Sequence, residues 1–339
     1  MSGREASPSL LQVRGLVKRF AVDQGWLEPR RTLTAVDGID LDVAKSEIFG
    51  LVGESGSGKT TAGRSILRLY EPDAGTIQFD GLDVRALPNR EMRRLRRRMQ
   101  VVFQDPGAAL NPRMRVRSLV GEPLEVHGLA KGAALRDRVA ELLSDVGLDA
   151  GAMERYPHEF SGGQKQRIFI ARALSVNPDF VVLDEPVSSL DVSVQAQIIN
   201  LLVELQKKHG IAYLFIAHDL TLIAHLCDRI AVMYLGKIVE QGTRTQVCEQ
   251  PHHPYTRALF AASPPPEPAA ARLVRAPIPG EIPSPLDIPA GCRFHPRCPL
   301  AIDRCRTEVP ALRPFAPGHL AACHRAEEVA GLPSIKATP

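Results

Sequence analysis

Five short apolar runs punctuate the chain, each closed by a turn or a polar residue. "EIFGLVG", "MQVVFQ", "FVVLDEP", "AYLFIAHD" and "RIAVMYLG" have strand length and predict strands buried on both faces. Longer stretches with helical spacing lie between them, such as "KTTAGRSILRLY" directly after the first run and "LRDRVAELLSDVGL" further on. This alternation predicts an α/β fold with a largely parallel central sheet. Between Gln104 and Asn177 the pattern is mostly helical, which suggests an inserted helical subdomain at about residues 105–177. After "YTRALFAAS" the texture changes. Residues 263–289 hold nine prolines, too many for a regular sheet or helix, so extended backbone is expected there. The expected organisation is one domain over residues 1–262 and a cysteine-bearing extension over 263–339.

Length and composition narrow the picture only a little. A chain of 339 residues can bury a full-sized core with an appendage. The net charge of +4 is too small to argue for nucleic acid. One local run, "REMRRLRRRM", packs six arginines around Glu91. It reads as a solvated helix face or, more sharply, as a surface attracted to acidic headgroups or nucleic acid. The opening "MSGREASPSL" lacks the apolar core of a signal peptide, and no run approaches the roughly 18 apolar residues of a membrane span. A cytoplasmic location is therefore expected, with the six cysteines reduced or metal-bound rather than paired.

The chemistry starts at Gly53-Glu54-Ser55-Gly56-Ser57-Gly58-Lys59-Thr60, followed by Thr61, which fits G-x-x-x-x-G-K-[ST] at every defined position. An apolar run precedes it and a helical pattern follows. Glycines let successive backbone N–H groups converge on phosphate oxygens, and the helix N-terminus adds positive potential. Lys59 is expected to reach the β- and γ-phosphates and Thr60 to ligate Mg²⁺. Downstream, a buried strand delivers Asp184 and Glu185 side by side. That pair suits a metal-bound phosphate site, with Asp184 holding Mg²⁺ through water and Glu185 polarising the attacking water. Gln104 in "FQDP" and His218 in "IAHD" each follow an apolar run, where loops of open α/β sheets approach ligands. An amide there can bind Mg²⁺ and water; a histidine can donate to a γ-phosphate oxygen.

A second glycine-rich helix start, "SGGQKQR" from Ser161 through Gly162, Gly163 and Gln164, has no chemistry of its own. In chain order, the phosphate loop, the Gln104 loop, "SGGQ", "LDEP", "SSLD" and His218 resemble the ATP-binding subunit of ABC transporters, a P-loop NTPase. The resemblance spans nearly the whole chain. It implies that two such domains pair head to tail, each ATP lying between one subunit's phosphate loop and the other's "SGGQ" helix start. It also implies a role for Asp191 of "SSLD" at the dimer seam and for Phe20 of "VKRF" as the ring stacking on adenine, although Ala21–Arg31, with Trp26, looks like an insertion. Phe160 stands where the family commonly has leucine. The single compact motif set, without heptads, is unlike the non-transport relatives.

"PHHPYTRALFAASPPP", "QDPGAALNPRM", "RYPHEFSGGQKQR" and "DVSVQAQI" resemble, more narrowly, the ATPase subunits of oligopeptide and dipeptide permeases, a group that includes a nickel-importing branch. This implies a second, homologous ATPase subunit, two transmembrane permease subunits, an extracytoplasmic solute-binding protein, and a peripheral position on the cytoplasmic face of the membrane, with no nucleic-acid partner. In the tail, Cys292, Cys298, Cys305 and Cys323 are separated by five, six and 17 residues. Four thiols suit an iron–sulfur cluster or structural zinc, but these spacings leave reduced thiols equally open. The family resemblance implies a [4Fe–4S] cluster.

Overall fold

The computed structural model describes residues 9–23, 30–104, 110–218, 220–262 and 280–332. In chain order the strands are β1 (Ser9–Val22), β2 (Arg31–Ala44), β3 (Ile48–Val52), β4 (Ala74–Phe79), β5 (Leu82–Asp83), β6 (Met99–Val102), β7 (Phe180–Asp184), β8 (Ala212–Ala217), β9 (Arg229–Tyr234), β10 (Lys237–Thr243), β11 (Arg313–Ala316) and β12 (His319–Ala321). The helices are α1 (Lys59–Ile66), α2 (Asn89–Leu95), α3 (Val116–Val126), α4 (Gly132–Asp145), α5 (Gly162–Leu174), α6 (Val192–His209), α7 (Leu220–Leu226), α8 (Arg244–Glu249), α9 (Pro254–Ala262), α10 (Asp303–Thr307) and α11 (Ala326–Ala330). No helix among the described residues is long and apolar enough to cross a membrane. The chain divides into two compact units.

The first unit comprises residues 1–10, 43–47 and 86–215. Its strands β6 and β7 pair in parallel, Met99 opposite Phe180 and Val102 opposite Leu183. β8, whose first four residues belong to this unit, lies on the other side of β7. Every residue of β7 is buried, as expected for a run without polar alternation. Helices α3, α4 and α5 bury Leu119, Val120, Val139, Leu142, Leu143 and Ile168, and an Arg172–Glu122 ion pair at 2.7 Å ties α5 to α3. In α2 only Met92 and Leu95 are buried, so Arg90, Arg93, Arg94, Arg96 and Arg97 are exposed. The run is an exposed face apart from half-buried Arg98, which pairs with Asp179.

The second unit comprises residues 11–42, 48–85 and 216–339. Here β3 and β9 pair in parallel, with Phe49 opposite Arg229 and Val52 opposite Val232. A hairpin then returns β10 antiparallel to β9. Its turn residues, Leu235 and Gly236, have φ of 42° and 86°, the left-handed pair that matches strand twist in a two-residue hairpin. The tail adds to this sheet, β12 pairing with β10 and β11 with β12, both antiparallel. A separate sheet runs in the order β2-β1-β4-β5, with β1 and β4 antiparallel. Parallel pairing is present at β3–β9 and β6–β7, as expected, while β9–β10, β10–β12, β11–β12, β1–β4 and β4–β5 are antiparallel. Apolar runs report burial but not direction, and pairing between β10 and β12 joins residues too far apart in sequence for a local pattern to show.

Candidate functional site

The phosphate-binding loop belongs to the second unit. β3 is fully buried and delivers the chain to Gly53; α1 starts at Lys59 with Gly58 as its N-cap at φ 103°. Only glycine adopts that conformation without strain. A Cβ at Gly58 would also run into the carbonyl oxygen of Ala35, and one at Gly53 into that of Met233. Ser55 and Gly56 form the exposed rim of the loop, while Ser57 is buried. Lys59 is 4% exposed; its Nζ donates to the carbonyl oxygens of Gly53 at 2.8 Å and Glu54 at 2.9 Å. The lysine therefore spans its own loop. No side chain caps α1 and its first turn carries no acid, which leaves the positive end of the helix without a competing carboxylate. Thr60 and Thr61 are half-buried on that first turn.

Two residues outside the motif hold the loop, and sequence reasoning missed both. The Glu54 N–H donates to the Tyr255 hydroxyl at 2.8 Å, and the Glu54 carboxylate is gripped by Arg297. No local motif marks either of them, because the contacts join positions 201 and 243 residues apart. Phe20 is half-buried, edge-on to Tyr70 with ring centroids 5.5 Å apart, and Lys18 Nζ lies 5.2 Å from its centroid. It is not a core phenylalanine. Trp26 lies outside the described residues. His218, in the same unit, is exposed in the bend that follows β8.

The first unit holds the other groups. Asp184 ends β7 and is 2% exposed. Glu185 follows at φ 48°, a left-handed conformation that a carboxylate side chain adopts at a cost of about 1–3 kcal/mol. Gln104, exposed after β6, donates from Nε2 to Glu185 Oε2 at 2.9 Å. Adjacent parallel strands thus bring Gln104, Asp184 and Glu185 to one end of the sheet.

The "SGGQ" helix start has local reasons for three of its four residues. Ser161 is the N-cap of α5, its Oγ accepting from Gln164 N at 3.3 Å, while Gln164 Oε1 accepts from Ser161 N at 3.0 Å. This reciprocal box satisfies two helix-end donors. A Cβ at Gly163 would lie 2.5 Å from Val194 Cγ1, and one at Gly162 would lie 3.3 Å from Leu190 Cδ2. Close packing against the start of α6 therefore demands glycine at 163, besides any demand from a ligand. Asp191, at that start, is exposed and makes no side-chain cap bond to α6. Phe160 is 5% exposed beneath the Arg155 guanidinium, 4.2 Å from its ring centroid; an apolar residue of either shape meets that need.

In the tail, Cys292, Cys298, Cys305 and Cys323 line one small cavity together with Phe294, His295 and His324. Burial pushes the Cys298 thiol up to about 11 and Cys323 to about 12, and the neighbouring thiols push the same way. Among the described residues no group of three or more His, Cys, Asp and Glu side chains is arranged to hold a metal ion. The four expected ligands thus share one cavity. Cys323 Sγ accepts the Arg325 N–H at 3.4 Å. Cys227 and Cys248 stand apart and are buried at 3% and 4% exposure, as packing residues. Burial pushes the Cys248 thiol to about 12.

A glycine loop leading from a buried strand into a helix, with paired carboxylates at the end of another, is the frame of a P-loop ATPase, and the "SGGQ" helix start narrows it to the ABC type. Two families match: ABC transporter over residues 36–188, and the oligopeptide/dipeptide transporter C-terminal region over 239–305. A Brucella ovis protein named for peptide import and ATP binding is 52% identical over 316 residues, covering 93% of this chain and 98% of that one. The oligopeptide transport ATP-binding protein AppF of Bacillus subtilis is 45% identical over 319 residues, covering 93% and 97%. Among solved structures, the ATP-binding cassette MJ0796, dimeric and bound to ADP and Pi after hydrolysis, matches with a TM-score of 0.62 at 26% identity, over 69% of this chain and 98% of that one. CbiO1 of Clostridium perfringens, part of an ABC transporter complex, matches with a TM-score of 0.61 at 29% identity, over 70% and 90%. The chain belongs to the ATP-binding proteins of the ABC transporter family and is an ATPase.

Proposed function

We propose that the chain hydrolyses ATP to power an importer of di- and oligopeptides, working as a peripheral subunit on the cytoplasmic face of the cell membrane. The observation that carries this reading is the joining of an ABC cassette to a C-terminal region of the oligopeptide/dipeptide transporter type in one chain. In this reading residues 1–262, with a helical subdomain at about 105–177, are the cassette and 263–339 the extension. The phosphate loop from Gly53 to Thr61 cradles the triphosphate and Phe20 stacks on adenine. Thr60, Gln104 and Asp184 hold Mg²⁺, which when bound offsets phosphate charge. Glu185 takes a proton from the attacking water, held by Gln104, and His218 donates to a γ-phosphate oxygen.

Completion of each site falls to a second, homologous ATPase subunit docked head to tail, which presents Ser161, Gly162, Gly163 and Gln164 to the γ-phosphate, with Asp191 at the seam. The 81% exposure of Val192, next to Asp191, supports a covered surface there, because an apolar first-turn residue gains from burial. Two transmembrane permease subunits and an extracytoplasmic solute-binding protein supply the path and the selectivity. Reconstitution with a second ATPase subunit and two permease subunits of this type tests the reading. ATP-dependent peptide uptake is expected; uptake of nickel without peptide would overturn the assignment of cargo.

The four tail cysteines hold a [4Fe–4S] cluster in this reading, supported by their shared cavity and by the family resemblance. A cluster supplies a rigid covalent staple for the extension. Protein purified in air should then be brown and lose visible absorbance with dithionite. Colourless protein with stoichiometric zinc reverses the assignment.

A further inference from the structure

The cysteine-bearing segment reaches back into the phosphate loop. Arg297 closes the turn His295–Arg297 just ahead of Cys298, and it is 5% exposed. Its two terminal nitrogens grip the Glu54 carboxylate, Nη1 donating to Oε2 at 2.7 Å and Nη2 to Oε1 at 3.0 Å. Nη1 also lies 3.4 Å from the Tyr234 hydroxyl. The guanidinium carbon stands 5.9 Å from the ring centroids of both Tyr234 and Phe294. Tyr255 packs against the same two rings, at 4.6 and 5.3 Å, and its hydroxyl accepts the Glu54 N–H. One charge is thus sealed behind aromatic rings from the tail and from β9, and its partner is the second residue of the loop.

This geometry has a purpose that packing alone does not supply. A carboxylate in a phosphate loop faces the same sign of charge on its ligand. A bidentate arginine cancels that charge and fixes the side chain in one orientation. The Tyr255 hydroxyl at the same residue's N–H fixes the backbone as well.

We propose that Arg297 is a positioning residue for nucleotide binding: it holds Glu54 and neutralises it, making the tail a working part of the ATP site. The inference rests on residues 53–60 being the phosphate loop. Replacing Arg297 leaves an uncompensated carboxylate among the phosphate-binding groups. It does not touch the reacting atoms.

The test measures MgATP affinity of the full chain, and KM and kcat in the assembled transporter, for Arg297→Met and for Arg297→Met combined with Glu54→Gln. Arg297→Met should weaken affinity and raise KM at least about tenfold, in line with the loss of a charge-assisted pair. kcat at saturation should stay within about threefold, and the defect should shrink between about 0.05 M and about 0.5 M salt, where screening is stronger. The double variant, having no acid to neutralise, should recover affinity to within about threefold of the wild type. A wild-type KM in Arg297→Met overturns the proposal, and so does a defect that neither salt nor Glu54→Gln relieves. Should Arg297→Met fail to fold, the double variant still decides, since it buries no lone charge: weak binding there overturns the proposal. Lys59→Ala in the same assay separates the two layers. If it binds MgATP normally, the loop assignment itself fails; if it loses binding, the assignment stands whatever Arg297 does.

Discussion

The chain begins two helices with glycines, and the two starts are built on opposite plans. At the phosphate loop the glycines answer to the backbone: Gly58 is left-handed, and Cβ atoms at Gly53 and Gly58 would strike carbonyl oxygens. That loop is wired inward, through Lys59 to its own carbonyls and through Tyr255 and Arg297 to Glu54. At "SGGQ" neither glycine has a positive φ; Gly163 yields to one side chain, Val194, and Ser161 and Gly162 remain exposed. A start closed by its own chain can hold a ligand alone. A start that is capped but left open has room for something presented from outside, which is what a shared nucleotide site needs.

The sharpest break in this contrast would come from chemistry at the end of β7. Glu185→Gln should lower ATP turnover of the assembled transporter by about a hundredfold or more while MgATP binding persists. Turnover near wild type would remove Glu185 from the reaction. Next, Gly58→Ala should destabilise the isolated protein by about 2–4 kcal/mol in urea titrations, because a strained φ and a backbone collision add. Gly163→Ala should cost less, about 1–3 kcal/mol, and Val194→Ala should relieve most of it. If the relieved double variant also regains ATP turnover in the complex, the glycine serves packing alone and the open start loses its role in nucleotide binding.

The smallest effect is a pH slope in the unit that carries the closed loop. Burial holds His253 neutral, its pKa pushed down from 6.5 to about 3, and its Nδ1 accepts the Tyr255 N–H at 3.0 Å. Unfolding frees the ring to take a proton between those values. Its contribution is therefore complete above about pH 6.5 and falls as the medium is acidified, by at most about 1.4 kcal/mol per pH unit. His253→Gln should flatten the stability profile between about pH 6 and 5; an unchanged slope would mean the ring is not buried neutral.

Much of the candidate site was legible locally. The loop signature, the carboxylate pair after "FVVL" and the runs that became β3, β6, β7, β8 and β9 all declare themselves within a few residues, since strand burial and phosphate cradling act at that range. The antiparallel pairing of β1 with β4 was not seen, nor the addition of β12 to β10, because pairing partners there are remote in sequence. The cysteines were visible as a set, but their spacing could not say that they line one cavity.

The sequence by itself determined the class of protein, because the loop from Gly53 to Thr60 is built from residues that follow one another on the backbone at fixed intervals. Only the tertiary structure decided that Gly163 is confined by Val194 and that Arg297 closes on Glu54 across 243 positions. Those are contacts between side chains brought together by packing, and no local pattern encodes which distant partner a buried charge will meet.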